Sequence, residues 1–262
     1  YAGATIPPLA TDTTGGAFPA GSVRFTNVGS EDGKAFDLLV TVSDPPTYYS
    51  DLVDVGYLSP SSSTATQALL TSSGFACLGL GLRTAYCTSG AAVDDISTEC
   101  ADGTPTTMRG GEFDFRFVEA GTSVSMPAFE RLHASFYDVD GELATQAAGS
   151  WGVRELVSVL GATSRTFAPS STLEGGIFLP SEALYALATS NVNVPIDLSD
   201  AVAPSASSLP AVASFEVTGA SSFKVLLGGV NPVSLTVNRG YCFAMVRPQL
   251  GVDCPEQHAP PP

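Results

Sequence analysis

The segment Glu112–Val118 constrains the fold of this chain more than any other stretch of its sequence. Three phenylalanines occupy every second position, and Asp114 and Arg116 lie between them. Alternation with a period of two places one set of side chains in a core and the other toward solvent, as in a half-buried β-strand. Burial of the three rings contributes on the order of 5–9 kcal/mol before conformational entropy is subtracted. The sequence therefore predicts a sheet built around this strand.

The same alternation recurs along the chain. Two runs joined by Glu31–Lys34 predict a hairpin, because Asp-Gly is a preferred two-residue turn. Further strands are predicted at Ser123–Pro127, Arg131–Val139, Glu155–Leu160, Ser164–Phe167, Ser214–Val217, Phe223–Leu227, Val233–Val237 and Tyr241–Val246. Ser181–Ala188, with Pro180 before a serine N-cap, predicts a short helix. The pattern favours an all-β fold, an Ig-like or jelly-roll β-sandwich with at most one or two short helices.

Composition divides the chain into an arm, a domain and a tail. Residues 1–17 carry few large apolar side chains and include Pro7 and Pro8, so they predict an N-terminal arm. Residues 18–254 predict a single β-sandwich domain, interrupted by a loop-rich, disulfide-bearing insertion at 47–107. Residues 255–262 form a Pro-rich tail in this division.

The five cysteines lack the CxxC spacing of a zinc site, so disulfides are expected. We expect Cys242 to pair with Cys254, and Cys77 to pair with Cys87. Pairing of Cys87 with Cys100 is the rival for the second bridge, and the remaining cysteine is either a buried thiol or a bridge to another chain. Disulfides, together with a first residue that is not Met, predict an extracellular or cell-surface protein whose signal peptide has been removed.

Charge is scarce in this chain and mostly acidic. Charged residues make up 14% of the sequence, with 11 Lys and Arg against 26 Asp and Glu. The resulting negative field disfavours nucleic acid as a partner, and no apolar run is long enough to predict a membrane span. A surface with few ions is inexpensive to bury against copies of itself, which favours a homopolymer. The loops rich in Ser, Thr and Pro have the composition of O-glycosylated segments.

An acidic turn offers the one candidate metal site. Asp138 and Asp140 project to the same side of a strand end, with Glu142 and Glu155 as further oxygen ligands. Oxygen-rich loops of this kind bind calcium when several ligands converge. The alternative is a solvated turn at the end of a strand. The sequence requires no cofactor, and calcium is the only one for which it offers ligands.

Side chains suited to catalysis are few. His133 and His258 are the only histidines, and no Gly-x-Ser-x-Gly elbow is present, so serine-hydrolase chemistry lacks support. We interpret His133 as a hydrogen-bonded surface residue and Trp151 as a packing residue rather than a sugar platform. The sequence predicts no enzymatic activity. The enzymatic alternative is a secreted glycosidase, which needs only two carboxylates.

Three stretches resemble secreted β-sandwich modules of unassigned function. They are Val23–Gly29 with its following turn, Phe136–Asp140, and Phe215–Thr218 with Ser222–Val225. In its acidic, Lys-poor, all-β character the chain is also similar to donor-strand, pilin-like subunits that form fibres at cell surfaces. This second resemblance implies that an arm of one subunit completes the sheet of the next.

In this chain the donor segment would include Ala2, Ala4, Ile6 and Leu9. The prolines in the arm limit its ladder to Ala2–Ile6, or displace it toward residues 17–21. The predicted function is an extracellular structural subunit that self-assembles into a fibre, a pilus-like filament or a surface layer by strand addition. The alternative is a calcium-dependent adhesin or a carbohydrate-binding module.

Overall fold

Fourteen β-strands account for most of the described part of the chain. The computed structural model describes residues 22–43, 54–56, 76–83, 108–146, 149–178, 182–189, 194, 200–230 and 236–251. The strands are β1 Ser22–Glu31, β2 Lys34–Val42, β3 Asp54–Gly56, β4 Ala76–Arg83, β5 Met108–Glu119, β6 Phe129–Tyr137, β7 Gly141–Gln146, β8 Gly149–Leu160, β9 Ala162–Phe167, β10 Leu173–Phe178, β11 Ala183–Ala188, β12 Ala213–Ala220, β13 Ser222–Val230 and β14 Thr236–Ala244.

Within the described ranges the only helix is the three-residue 3-10 turn Leu209–Ala211. No helix in those ranges is long and apolar enough to cross a membrane.

The strands form two antiparallel sheets, and the chain is a β-sandwich as predicted. Sheet A has the order β1-β2-β5-β13-β8-β11-β10, with β7 also paired to β8. Sheet B has the order β3-β4-β14-β6-β12-β9. Neighbouring strands are often distant in sequence, as where β5 pairs with β13. The fold therefore depends on long-range pairing.

Aromatic rings from both sheets fill the space between them. Phe115 of sheet A contacts Phe243 of sheet B edge-on, with ring centroids 5.1 Å apart. Phe25 contacts the same ring at 5.5 Å, also edge-on. The three phenylalanines of β5 are fully buried, whereas Arg116 between them is exposed. The predicted alternation of β5 is confirmed.

The predicted hairpin is also confirmed. The strands β1 and β2 pair from Ser22 opposite Thr41 to Glu31 opposite Lys34. Asp32 and Gly33 form the two-residue turn with φ values of 50° and 76°. Positive φ at both central positions defines the turn type that matches the twist of two antiparallel strands.

The predicted helix at Ser181–Ala188 is wrong, because Ala183–Ala188 is strand β11. This strand lies inside sheet A, paired with β8 on one side and β10 on the other. Leu184 and Leu187 have helical spacing, but a run this short does not distinguish a helix from a strand buried on both faces. Pairing with two neighbouring strands outweighs the weak local preference.

Two other predicted strands differ in extent. The run Ser123–Pro127 contributes only a single bridge, between Val118 and Ser125. In the part of the chain that the structure describes, there is a single strand, β14, where the sequence predicted the two strands Val233–Val237 and Tyr241–Val246. Inside the predicted insertion 47–107, the described residues 54–56 and 76–83 are strands β3 and β4 of sheet B.

One disulfide joins Cys77 of β4 to Cys242 of β14, and this corrects the expected pairings of Cys242 with Cys254 and of Cys77 with Cys87. Cys77 and Cys242 are directly opposite each other on neighbouring strands. The expected pairings joined residues close in sequence, whereas these two are separated by 165 residues. Strand pairing, which the sequence does not display, brought them together. Cys87, Cys100 and Cys254 lie outside the described residues.

Removing this disulfide should destabilise the domain. Replacing both cysteines, Cys77→Ala with Cys242→Ala, should lower the free energy of unfolding by about 2–5 kcal/mol, because the bond restricts a very long loop in the unfolded chain. Denaturant unfolding measures the loss. Non-reducing peptide mapping is the direct check, with trypsin followed by cleavage before Asp253 to separate Cys242 from Cys254. A fragment that links Cys242 to Cys254 would contradict the pairing.

Candidate functional site

The outer face of sheet B, the face turned away from the phenylalanine core, is divided into two parts. Over β4, β14 and the end of β6, a second small core covers the sheet. Its buried members include both bridged cysteines together with Tyr137, Ala201, Val212, Val246 and Leu250. Over β9, β12 and the start of β6, the face is open and polar. The second part is the candidate functional site.

This open part forms a cleft of about 550 Å³. Its floor carries His133 of β6, Ser214 and Glu216 of β12, and Ser164 and Thr166 of β9. The segment Arg247–Gly251, which follows β14, forms a wall. Cross-strand register brings the floor together, because Glu216 pairs with His133 on one side and with Ser164 on the other. A volume of this size lies within the range of small-molecule sites.

Hydrogen bonds hold the wall in place. The Ser135 hydroxyl donates to the carbonyl of Val246 at 2.6 Å, and the backbone N–H of Gln249 donates to the carbonyl of Val202 at 2.7 Å. The Tyr137 hydroxyl donates to the carbonyl of Ala201 at 2.5 Å. Burial of this phenol raises its pKa above the ordinary value for tyrosine. These contacts fix the position of the wall relative to the floor.

Glu216 is the electrostatic centre of the floor. One carboxylate oxygen lies 3.4 Å from Arg131 Nε, and the other lies 3.9 Å from His133 Nε2. The pKa of His133 is lowered from 6.5, mainly because burial disfavours the imidazolium, and Arg247 and Arg131 add to this effect while Glu216 opposes it. His133 is therefore neutral near pH 7, when it is able both to donate and to accept a hydrogen bond.

Arg165 of β9 lies beneath the cleft and links sheet B to strands β10 and β11 of sheet A. Its Nη1 donates to the carbonyls of Gly176 at 2.8 Å and Tyr185 at 2.5 Å, on strands β10 and β11 of the other sheet. The guanidinium also lies over the Phe167 ring, 5.1 Å from its centroid. A Cβ at Gly175 would lie 2.2 Å from the Arg165 Cζ, so glycine is required for this approach. Burial lowers the pKa of Arg165 below its ordinary value.

The edges of the sheets are protected to different degrees. β3 is three residues long, and β1 is interrupted by a bulge between Phe25 and Gly29. Short edges and bulges are common ways to prevent pairing with another chain. β10, by contrast, has two glycines in its centre and an isoleucine, Ile177, whose surface is 58% exposed. Of the edge strands β1, β3 and β10, β10 carries the least protection.

The outer face of sheet A carries ion pairs. Lys224 Nζ lies 2.6 Å from a carboxylate oxygen of the buried Glu112 and 3.6 Å from Asp114. The hydrogen bond that Lys224 donates to Glu112 raises the pKa of Lys224 above its ordinary value. Arg24 makes a similar pair with the buried Asp37, at 2.9 Å. These carboxylates therefore stabilise the sheet.

The structure brings two of the four candidate calcium ligands together. Asp140 and Glu155 are both buried, and the backbone N–H of Asp140 donates to the Glu155 carboxylate at 3.4 Å. Asp140 also accepts the backbone N–H of Val194 at 2.5 Å. Asp138 has a positive φ of 65°, and the side chain of Glu142 lies outside the described part. No group of three or more His, Cys, Asp or Glu suited to a metal is found among the described side chains, and the calcium site stays a prediction.

The remaining predicted residues lie outside the described part of the chain. They are the arm residues Ala2, Ala4, Ile6 and Leu9, and also Cys87 and Cys254. The side chain of Trp151 is not described either. Sequence reasoning missed the cleft, because its residues come from four separate segments. The only local signal is that His133 and Glu216 occupy outward positions on two amphipathic strands.

Comparison with known proteins identifies no family. No protein-family model and no curated protein matches the chain. Solved structures that are similar include the N-terminal domain of the Streptococcus gordonii adhesin Sgo0707, at 11% identity and a TM-score of 0.42. The adhesin domain of PrgB from Enterococcus faecalis, bound to DNA, has 10% identity and a TM-score of 0.44. The glucan binding protein C of Streptococcus mutans, described as mediating adherence, has 12% identity and a TM-score of 0.39.

The alignments cover 87%, 86% and 88% of this chain, but only 48%, 66% and 62% of the respective structures. The chain thus spans less than two thirds of each structure. At TM-scores this low, these similarities assign no activity, ligand or partner to it.

The contact between Gly175 and Arg165 gives a test of how the side of the sandwich is closed. Gly175→Ala should lower the free energy of unfolding by about 1–3 kcal/mol, because the added methyl group displaces the guanidinium. In an Arg165→Leu background the same change should cost much less. A double-mutant cycle by denaturant unfolding measures the coupling. Equal losses in both backgrounds would show that the two residues do not interact.

The lowered pKa of His133 predicts a dependence of stability on pH. As the pH falls below about 6.5, the unfolded chain takes up this proton before the folded one, so the stability contributed by His133 declines. The stability advantage of the wild type over His133→Gln should be larger near pH 7.5 than near pH 5, where the imidazole is being protonated. Denaturant unfolding at both pH values checks this, with His258→Gln as the matched histidine control. An advantage that does not change with pH would contradict it.

Proposed function

We propose that this chain is an extracellular, non-enzymatic surface subunit that works by association with other molecules. In its specific form, the subunit assembles with copies of itself into a fibre or surface layer, and a strand from one copy adds to strand β10 of the next. The sandwich fold, the disulfide and the uneven protection of the sheet edges support this function.

The unprotected edge of β10 is the observation that carries the proposal. β10 pairs with β11 on one side, and the described chain places no strand on its other side. Gly175 and Gly176 have no side chains to keep a neighbouring backbone away. The one charged residue of the strand, Glu174, lies 3.8 Å from Arg154 of β8. The strand thus lacks the lysines, prolines and bulges that normally prevent edge pairing.

The donor strand in this proposal is the segment Ala2–Ile6. Its apolar side chains Ala2, Ala4 and Ile6 are two residues apart, so they lie on one face of an extended strand. Small residues at the first two positions suit pairing beside the glycines of β10. Main-chain hydrogen bonds would supply affinity, and the exposed Ile177 would supply an apolar contact.

Two observations support the non-enzymatic and extracellular parts of the proposal. Hydrolysis of a glycoside needs two carboxylates in one cleft, and Glu216 is the only carboxylate among the described residues that line this one. The disulfide between Cys77 and Cys242 is of the kind that persists in oxidising compartments outside the cytosol.

A charge placed on the edge of β10 tests the assembly. Ile177→Lys should weaken self-association by about tenfold or more, because the added strand would bury an unpaired charge. Val124→Lys is the matched control, since Val124 has the same exposed fraction of 58% and lies outside the edge. Light scattering and negative-stain microscopy measure assembly. Deletion of residues 1–16 should abolish assembly and leave a folded monomer.

Unchanged polymers after either the deletion or the Ile177→Lys change would overturn the strand-addition proposal. Equal loss of assembly in Val124→Lys would point to a general effect of charge rather than to β10. A folded protein that stays monomeric at all concentrations would overturn self-assembly itself.

A further inference from the structure

We infer that the cleft on the outer face of sheet B is a binding site for a neutral saccharide, recognised through its hydroxyl groups. This inference does not depend on the assembly proposed above, because the cleft and the β10 edge use different residues. It follows from the hydrogen-bonding groups of the cleft, their charge and their fixed positions.

The lining combines groups that donate hydrogen bonds with groups that accept them. Thr166 and Ser164 contribute hydroxyls from β9, and within the described contacts neither hydroxyl has a protein partner. Hydroxyls both donate and accept, as do the hydroxyls of a sugar ring. Gln249 adds an amide from the wall, with both a donor and an acceptor. A polyhydroxylated ligand is the class that satisfies such a set in full.

Glu216 and Arg247 provide charged groups that suit adjacent sugar hydroxyls. A carboxylate has about four lone-pair sites, and the separations of 3.4 Å to Arg131 and 3.9 Å to His133 are long for hydrogen bonds, so Glu216 retains acceptor capacity. The Arg247 guanidinium, on the opposing wall, supplies donors only. One accepting and one donating charged group across a cleft match neighbouring hydroxyls, which do both.

The same charges argue against other ligand classes. An acidic ligand would be attracted by Arg247, but it would also have to approach Glu216 within a chain of net charge −15. An apolar ligand would leave the Ser164 and Thr166 hydroxyls without partners, which costs free energy for each group. A neutral saccharide meets neither penalty.

The backbone that carries these groups is held in place before a ligand arrives. Three hydrogen-bonded strands form the floor, and the wall is held by the contacts of Val246 and Gln249 described above. Preorganisation reduces the entropy lost on binding, which matters for ligands that gain little from each hydrogen bond. The backbone of the cleft is therefore preformed.

Calorimetric titration of the full chain tests the inference. The probes are neutral tetrasaccharides of glucose, galactose and mannose, and a tetrasaccharide of uronic acid as the charged comparison. At least one neutral tetrasaccharide should bind saturably and more tightly than the uronic acid. The Ile177→Lys chain should bind equally well, so that a failure of assembly and a failure of binding remain distinguishable.

Two substitutions locate the binding. Glu216→Gln should weaken it by about tenfold, since a hydrogen bond to a charged group commonly contributes that much. Thr166→Val, which keeps the shape of an exposed side chain, should weaken it by about threefold or more. Glu130→Gln and Thr218→Val are the matched controls, because both residues are exposed strand residues outside the cleft lining. Unfolding curves confirm that each variant is folded.

Three outcomes would overturn the inference. Absence of saturable binding by any neutral tetrasaccharide would exclude the ligand class, and tighter binding of the uronic acid would do the same. Full affinity in a folded Thr166→Val variant, together with full affinity in Glu216→Gln, would exclude the cleft as the place of binding.

Discussion

Contact between the phenylalanine rings of the two sheets is the interaction on which the rest of the structure depends. Phe115 packs edge-on against Phe243 across the interior and lies close to Phe223 within its own sheet. Because one face of each sheet is committed to this core, only the outer faces and the edges remain for function. The outer face of sheet B is then divided between a small covered core and a cleft, and the outer face of sheet A is stabilised by ion pairs.

Two ion pairs of sheet A each include a carboxylate that is almost fully buried. Lys224 is one of two lysines in the sequence, and it pairs with a Glu112 whose side chain is almost fully buried. Pairing in a partly desolvated position is stronger than at an exposed one, although burial carries its own cost. Arg24 and Lys224 of sheet A are thus each bound to a buried carboxylate. Apart from Glu174, the residues of the edge strand β10 are apolar or small.

The structural features that depend only on neighbouring residues were predicted correctly from the sequence. The alternation of β5 and the Asp32-Gly33 turn needed only neighbouring residues, and both were predicted correctly. The strand Ala183–Ala188 was predicted as a helix, since its short apolar run carries no information about the two strands that flank it. The bond between Cys77 and Cys242 and the floor of the cleft depend on strand register between distant segments. A single sequence does not display that register.

Strand β9 connects the two surfaces for which functions are proposed. Its inward side chain Arg165 bonds to the backbone of β10 and β11, whereas its outward side chains Ser164 and Thr166 line the cleft. A strand added at β10 would extend sheet A within its own plane, and the cleft lies on the outer face of sheet B. The two surfaces therefore share no side chain, and a polymer joined through β10 would still present one cleft for each subunit. Repetition of a weak saccharide site along such a polymer would raise its avidity without any new contact.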